Sequence, residues 1–306
     1  MDWSRVSTGL VPLTDLGTGQ YQGQPGGLYP GGSNLRSLAH ESAGVTLAQS
    51  VQPRDANGSP DANGKYVLVS VGMSNTSDEF ERFKSIADAD PAKAPQLVIV
   101  NGAQGSKAVE DWMLPDSPTW RVLDQRLQQA GVTPAQVSVA WVKQAAIRPT
   151  GDFLAEAREL QQNLSAVARN LHGRYPNLKL VYFSSRIYGG YSTMVIRSEP
   201  HSYGGGFAVK WLIEAQINGA PELNFDPDRG AVTAPWLSWG PYLWADGLGL
   251  DGALGGTPGR RDGLEWDCRD LVSDGVHPSA QGRVKVAQLL LDFLKTDVTA
   301  RSWFLH

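Results

Sequence analysis

Four short apolar runs punctuate the middle of the chain. Residues 66–71 end at Gly72, residues 95–100 end at Asn101-Gly102, and residues 137–142 and 178–183 repeat the device. Runs of this length, rich in Val, Ile and Leu with no polar alternation, predict strands buried on both faces of a parallel sheet. Between them the pattern changes to helical spacing, over residues 79–89, 119–130 and 153–171. In the third of these, Leu154, Ala157, Leu160, Leu164 and Val167 fall on one face. A last amphipathic stretch, 280–294, brings Val284, Ala287, Leu290, Leu291 and Leu294 together. Strands and helices alternating at this spacing predict an α/β fold, a three-layer αβα sandwich around a mostly parallel sheet of about five strands. The fifth strand is the least marked, and residues 231–237 are its best candidate.

Two regions break the alternation. Residues 1–64 are rich in Gly, Pro, Asn, Ser and Gln, with Gln24-Pro25-Gly26-Gly27 and Tyr29-Pro30-Gly31-Gly32 as consecutive turns. Leu28, Leu38, Val45 and Leu47 give this segment something to bury, so it reads as a loop-rich arm wrapped on the body. Residues from about 185 to 270 turn Gly-, Trp- and Tyr-rich and read as a long insertion near an active-site mouth. Within it, 252–259 is glycine-rich but follows no strand and lacks the Lys-Ser/Thr of a phosphate loop, so it reads as loop. The whole of 1–306 is expected to form a single domain.

Composition narrows the classes. The 306 residues are 41% apolar and 19% charged, which suits a chain with a sizeable core and excludes wholesale disorder. A net charge of −4 gives no basic footprint for nucleic acid. A single cysteine, Cys268, excludes an internal disulfide and any multi-thiolate metal site. No apolar run approaches the roughly eighteen residues of a membrane span. The opening Met1-Asp2-Trp3-Ser4-Arg5 lacks the pattern of a secretory leader, although a chain relieved of its leader would begin the same way. Secretion is compatible with the single cysteine; compartment and oligomeric state stay open.

Ligands of open α/β sheets bind beyond the carboxyl ends of the strands, so the residues found there are the candidates. Ser74 and Asn75 follow the first strand, where a serine either offers its hydroxyl to the crevice or caps a helix. Gly102 and Gly105 follow the second, where glycine lets backbone N–H groups approach a ligand or simply makes a turn. Lys143 and Gln144 emerge from the third, and Arg186 and Tyr188 from the fourth. Asp274-Gly275-Val276-His277 precedes the last helix, and an Asp three residues before a His on a tight turn can hold one imidazole nitrogen and leave the other as a base. Of the five histidines, His40, His172, His201 and His306 have no such carboxylate beside them in sequence. Trp236, Trp239, Trp244 and Trp266 either line a sugar or acyl groove or anchor a long loop.

Taken together these blocks resemble the SGNH, or GDSL-type, hydrolase superfamily over roughly residues 65–295. Gly72-Met73-Ser74-Asn75 looks like its nucleophile block, Asn101 to Gly105 its glycine block, and Asp274 to Pro278 its Asp-x-x-His block. The third block departs: Trp141-Val142-Lys143-Gln144 stands where most members have Gly-x-Asn-Asp. It is similar to the Trp-x-Gln-Gly-Glu pattern of the carbohydrate-esterase and sialate O-acetylesterase branch, with Ala145 and Ala146 replacing Gly-Glu. The resemblance implies a flavodoxin-like sheet and a serine esterase with Ser74 as nucleophile, His277 as base and Asp274 as its support. It also implies an oxyanion hole from the N–H groups of Ser74 and Gly105 and the Gln144 amide, with no metal or organic cofactor. The expected substrate is a small acyl ester, with O-acetyl groups on carbohydrate favoured and Asn75, Arg186, Tyr188, Trp236 and Trp239 as candidate contacts. A lipase or thioesterase of the same superfamily, or a non-catalytic carbohydrate-binding protein, are the alternatives.

Overall fold

The computed structural model of the chain describes residues 1–2, 7–148, 151–248 and 259–306. The glycine-rich stretch at 252–259 therefore lies outside the described residues apart from Gly259, as do Trp3 to Val6. Five strands, β1 (Tyr66–Gly72), β2 (Leu97–Val100), β3 (Val137–Lys143), β4 (Leu180–Ser184) and β5 (Trp236–Trp239), form one sheet in the order β2-β1-β3-β4-β5. All its pairings are parallel. Every residue of β1, β3 and β4 is buried, as runs without polar alternation require. The expected α/β sandwich is present.

Among the described residues, six helices of twelve residues or more flank or cover the sheet: α1 (Leu38–Gln49), α2 (Ser74–Asp88), α3 (Pro118–Gln129), α4 (Phe153–Arg174), α5 (His201–Ile217) and α6 (Ala280–Thr296). Helix α2 packs against α6, and α4 against α5. Helix α3 is tied to α4 by Arg174 on Asp124 at 2.6 Å. None of the described helices is long and apolar enough to cross a membrane. Strand order reverses at β1, between β2 and β3, and the crevice beyond their carboxyl ends is where such sheets bind ligands.

Several local expectations need correction. Helix α2 begins at Ser74 rather than at 79, because its polar first turn, Ser-Asn-Thr-Ser, carries no apolar periodicity to reveal it. The fifth strand starts at Trp236, so the expected 231–237 overlaps only its first two residues. The segment 1–64 is not all loop, since it contains the twelve-residue α1. Gly44 of α1 lies flush on the β5 indole of Trp236: a Cβ there would sit 2.3 Å from Trp236 Cζ2. The stretch 185–270 is not a surface insertion throughout, because it supplies α5 and the edge strand β5.

Candidate active site

The serine, histidine and aspartate singled out by sequence meet at the end of β1. Ser74 is the first residue of α2, where the early N–H groups have no partners within the helix. Gly72 makes this turn possible, since a Cβ would lie 2.4 Å from the Thr76 side chain. Thr76 Oγ1 donates to the Lys143 carbonyl at 2.7 Å and so fastens α2 to β3. On the other side, Asp274 to His277 form a turn closed by Gly275 at φ 67°, where a Cβ would collide with the Tyr191 carbonyl at 2.2 Å. Asn75 Nδ2 donates to the Val276 carbonyl at 2.7 Å, which sets this turn against the serine.

His277 Nε2 is 2.8 Å from Ser74 Oγ, and its Nδ1 is 2.6 Å from Asp274 Oδ2. The carboxylate accepts from Nδ1–H, which leaves Nε2 to accept from the serine hydroxyl. Asp274 Oδ1 also accepts the backbone N–H groups of Val276 at 2.8 Å and His277 at 2.9 Å. Burial works to raise the Asp274 carboxyl, but these bonds outweigh it and hold the group below the usual carboxylate range. Serine hydroxyl, imidazole and carboxylate thus stand in hydrogen-bonded sequence, a geometry able to draw the proton from a serine hydroxyl.

A cavity of about 220 Å³ opens on this triad, lined by Ser74 and His277 together with Ser106, Ala145, Arg186 and Arg197. It is smaller than the ~300–1,000 Å³ of pockets for drug-sized ligands. The turn after β2 reaches it through Ser106, held at φ 61°. Gly105, one residue earlier, is exposed, and a Cβ there would meet nothing within 4 Å, so its space does not require glycine. Gly102 does require it, with Ser70 O and Leu123 Cδ1 at 2.4 and 2.5 Å from the Cβ position.

The other candidates are distributed unevenly. Asn75 lines the cavity, with its amide already committed to Val276. Gln144 is buried and does not itself line the cavity, although the next residue, Ala145, does; neither its Nε2 nor its Oε1 has a hydrogen-bond partner. Lys143 does not reach the cavity; its ammonium pairs with Glu79 of α2, and both side chains are enclosed. Burial pushes the Glu79 carboxyl up and the Lys143 amine down, against the attraction between them. Arg186 lines the cavity, whereas Tyr188 packs among Tyr191 and Trp244 at ring-centroid distances of 5.2 and 6.1 Å. Trp236 and Trp239 are core residues, and neither lines the cavity at Ser74. Their indole N–H groups donate to the carbonyls of His40 at 3.1 Å and Leu28 at 2.7 Å, and Trp244 and Trp266 are equally enclosed.

Sequence reasoning missed two features near this site. His201 is not without a carboxylate: its Nδ1 is 2.7 Å from Glu156 Oε2, contributed by a helix 45 residues away in sequence. Arg197, on the short turn Val195–Arg197, shares the cavity with Arg186. No signal in the local sequence distinguishes either residue. Among the described residues, no group of three or more His, Cys, Asp or Glu side chains is arranged to hold a metal ion.

No protein-family model and no curated protein matches the sequence. Several solved structures are loosely similar in three dimensions. Protein YxiM of Bacillus subtilis superposes with a TM-score of 0.42 at 12% identity, over 78% of this chain and 58% of that one. The chain thus spans under two thirds of that protein's length. The C-terminal catalytic domain of peptidoglycan O-acetyltransferase A from Streptococcus pneumoniae gives 0.37 at 11% identity, over 76% of this chain and 94% of that one. An extracellular lipase of Streptomyces rimosus gives 0.35 at 14%, covering 74% and 99%. At such distances the reading of the site rests on its own geometry.

Proposed function

We propose that the protein is a serine esterase that hydrolyses small acyl esters of the acetyl type. The observation that carries this reading is the unbroken chain Ser74 Oγ–His277 Nε2 and His277 Nδ1–Asp274 Oδ2, at 2.8 and 2.6 Å, on the wall of a small cavity. In the first step Ser74 Oγ bonds to the ester carbonyl carbon while its proton passes to His277 Nε2. The tetrahedral intermediate then collapses, the ester C–O bond breaks, and His277 protonates the departing alkoxide. Water repeats the sequence on the acyl-enzyme, releasing the acid and restoring the serine. Asp274 keeps the imidazole in the tautomer this requires and stabilises the imidazolium.

The oxyanion of both intermediates needs donors in place before the charge appears. The Ser74 N–H at the start of α2 is one, favoured by the positive end of the helix. Gly105 supplies a second from the turn that carries Ser106, and the Gln144 amide a third. A buried amide with no partner is costly to keep, and service to a transient oxyanion gives it a reason to be there. The 220 Å³ cavity favours a short acyl group over a lipid chain. Sugar as the alcohol part rests on the resemblance of the third block alone, since Trp236 and Trp239 offer no stacking surface.

The test is the dependence of turnover on acyl length with p-nitrophenyl esters. Acetate should be preferred over octanoate by at least tenfold in kcat/KM, and the activity should vanish in Ser74→Ala. Preference for octanoate would move the assignment to a lipase, and equal turnover by Ser74→Ala would remove it.

A further inference from the structure

We infer that the ester substrate carries a carboxylate, received by Arg186 with Arg197 beside the catalytic serine. The inference rests on the esterase reading above and names the substrate class of that same site. Arg186 lies two residues beyond the carboxyl end of β4, only 8% exposed, and still lines the cavity with Ser74 and His277. A guanidinium has five N–H donors and is almost never enclosed unless paired. Among the described residues Arg186 forms no hydrogen bond or ion pair, and its Nε is buried without a partner.

The carboxylates within electrostatic range are all engaged elsewhere. Glu199 accepts from the backbone N–H groups of Gly189 and Tyr203 and from Trp244 Nε1, at 2.7, 2.9 and 2.8 Å. Glu79 is bound to Lys143, and Asp274 to His277. Burial works against the charge of Arg186, Arg197 adds to that, and the three acids oppose it without touching the guanidinium. Arg197 is half-buried on the cavity wall and also has no ion-pair partner among the described residues. Two arginines without an ion-pair partner among the described residues therefore line the cavity, and the acids within range of Arg186 are each held by other groups.

Such an arrangement pays its desolvation cost without return until an anion arrives. A planar carboxylate matches the fork of a guanidinium in two parallel bonds, the strongest pairing available to it. Arg186 also borders a second, smaller cavity of about 40 Å³, shared with Ala145 and Ala146. Lysine at this position would keep the charge and lose the fork.

The carboxylate belongs either to the alcohol part or to the acyl part, and two probe pairs distinguish these. The first is 3-acetoxybenzoate against its methyl ester; the second is monophenyl succinate against its methyl ester. In the parent protein one carboxylate probe should exceed its neutral ester at least tenfold in kcat/KM. That ratio should fall to near one in Arg186→Gln, recover in part in Arg186→Lys, and shrink several-fold in Arg197→Gln. Ser74-dependent hydrolysis of the methyl esters with both ratios at or below one would overturn the inference and leave the esterase standing. If none of the esters turns over, calorimetric binding to Ser74→Ala still decides: tenfold tighter binding of one carboxylate probe than of its methyl ester supports the subsite, and equal or weaker binding of both removes it. Should Arg186→Gln fail to fold, the parent ratios and Arg197→Gln carry the same decision.

Discussion

Lys143 turns its ammonium onto Glu79, inside the layer between β3 and α2, while the next residue, Gln144, ends in an amide that touches no partner. Successive side chains leaving a strand point to opposite faces, and here the alternation separates a structural charge from a buried, unsatisfied amide. A lysine serving the oxyanion in place of Gln144 is therefore not available in this arrangement.

Breaking the pair on one side leaves a buried charge. Lys143→Met should destabilise the protein by about 3–5 kcal/mol, and Lys143→Met with Glu79→Leu should recover most of that. The single variant should also depend on pH. An isolated Glu79 carboxyl, raised by burial, favours the folded state while protonated, so stability present near the unfolded carboxyl value of ~4.3 should be lost as pH rises above it. Urea unfolding at pH 5 and pH 8 measures this, and equal losses at both would show that Glu79 finds another partner.

Gln144 separates catalysis from stability. Gln144→Met removes an enclosed amide that no group satisfies, so stability should hold or rise by about 1 kcal/mol. If the amide receives the oxyanion, kcat should fall about a hundredfold with little change in KM. A gain in stability with parental kcat would take Gln144 out of the site.

The orienting acid should matter less than the groups that move protons. His277→Ala should cost about as much as Ser74→Ala, on the order of 10⁶ in kcat, and Asp274→Asn roughly a hundredfold less. Steady-state kinetics on an acetyl ester would show this ranking. An Asp274→Asn variant as dead as Ser74→Ala would mean that the turn, not only the tautomer, depends on the carboxylate bonds to Val276 and His277.

At the far edge of the sheet, His40 Nε2 donates to the Leu237 carbonyl at 2.8 Å, and its ring stacks on Trp236 at 4.8 Å. Burial pushes its pKa down to about 4, helped by Arg36 and opposed by the Leu237 bond. The neutral ring is the one the fold prefers, so its contribution is complete above the unfolded value of ~6.5 and is lost as pH falls toward 4. The ceiling is about 3.5 kcal/mol, at ~1.4 kcal/mol for each pH unit between the folded and unfolded values. Urea unfolding between pH 7.5 and 4.5 should show a smaller drop in His40→Gln than in the parent.

The triad was legible because each part of it is local. An apolar strand ending in Gly72 puts Ser74 at a sheet's carboxyl end, and Asp274 and His277 are three apart on one turn. What escaped the sequence depends on long-range closure. Glu156 meets His201 across 45 positions and Glu79 meets Lys143 across 64, with no periodicity to announce either pair. The number of tryptophans in 236–244 fits either a groove or the anchoring of a long loop. Their N–H groups find carbonyls and a carboxylate inside, two of them contributed by the segment before residue 64.

The central claim is that Ser74 is the acylated nucleophile. Phenylmethylsulfonyl fluoride should add one sulfonyl group per chain, placed on Ser74 by peptide mass mapping, and should abolish hydrolysis of p-nitrophenyl acetate in proportion to labelling. Ser74→Ala should take up none and hydrolyse nothing. An adduct on another serine, or full activity in a protein labelled at Ser74, would contradict the account.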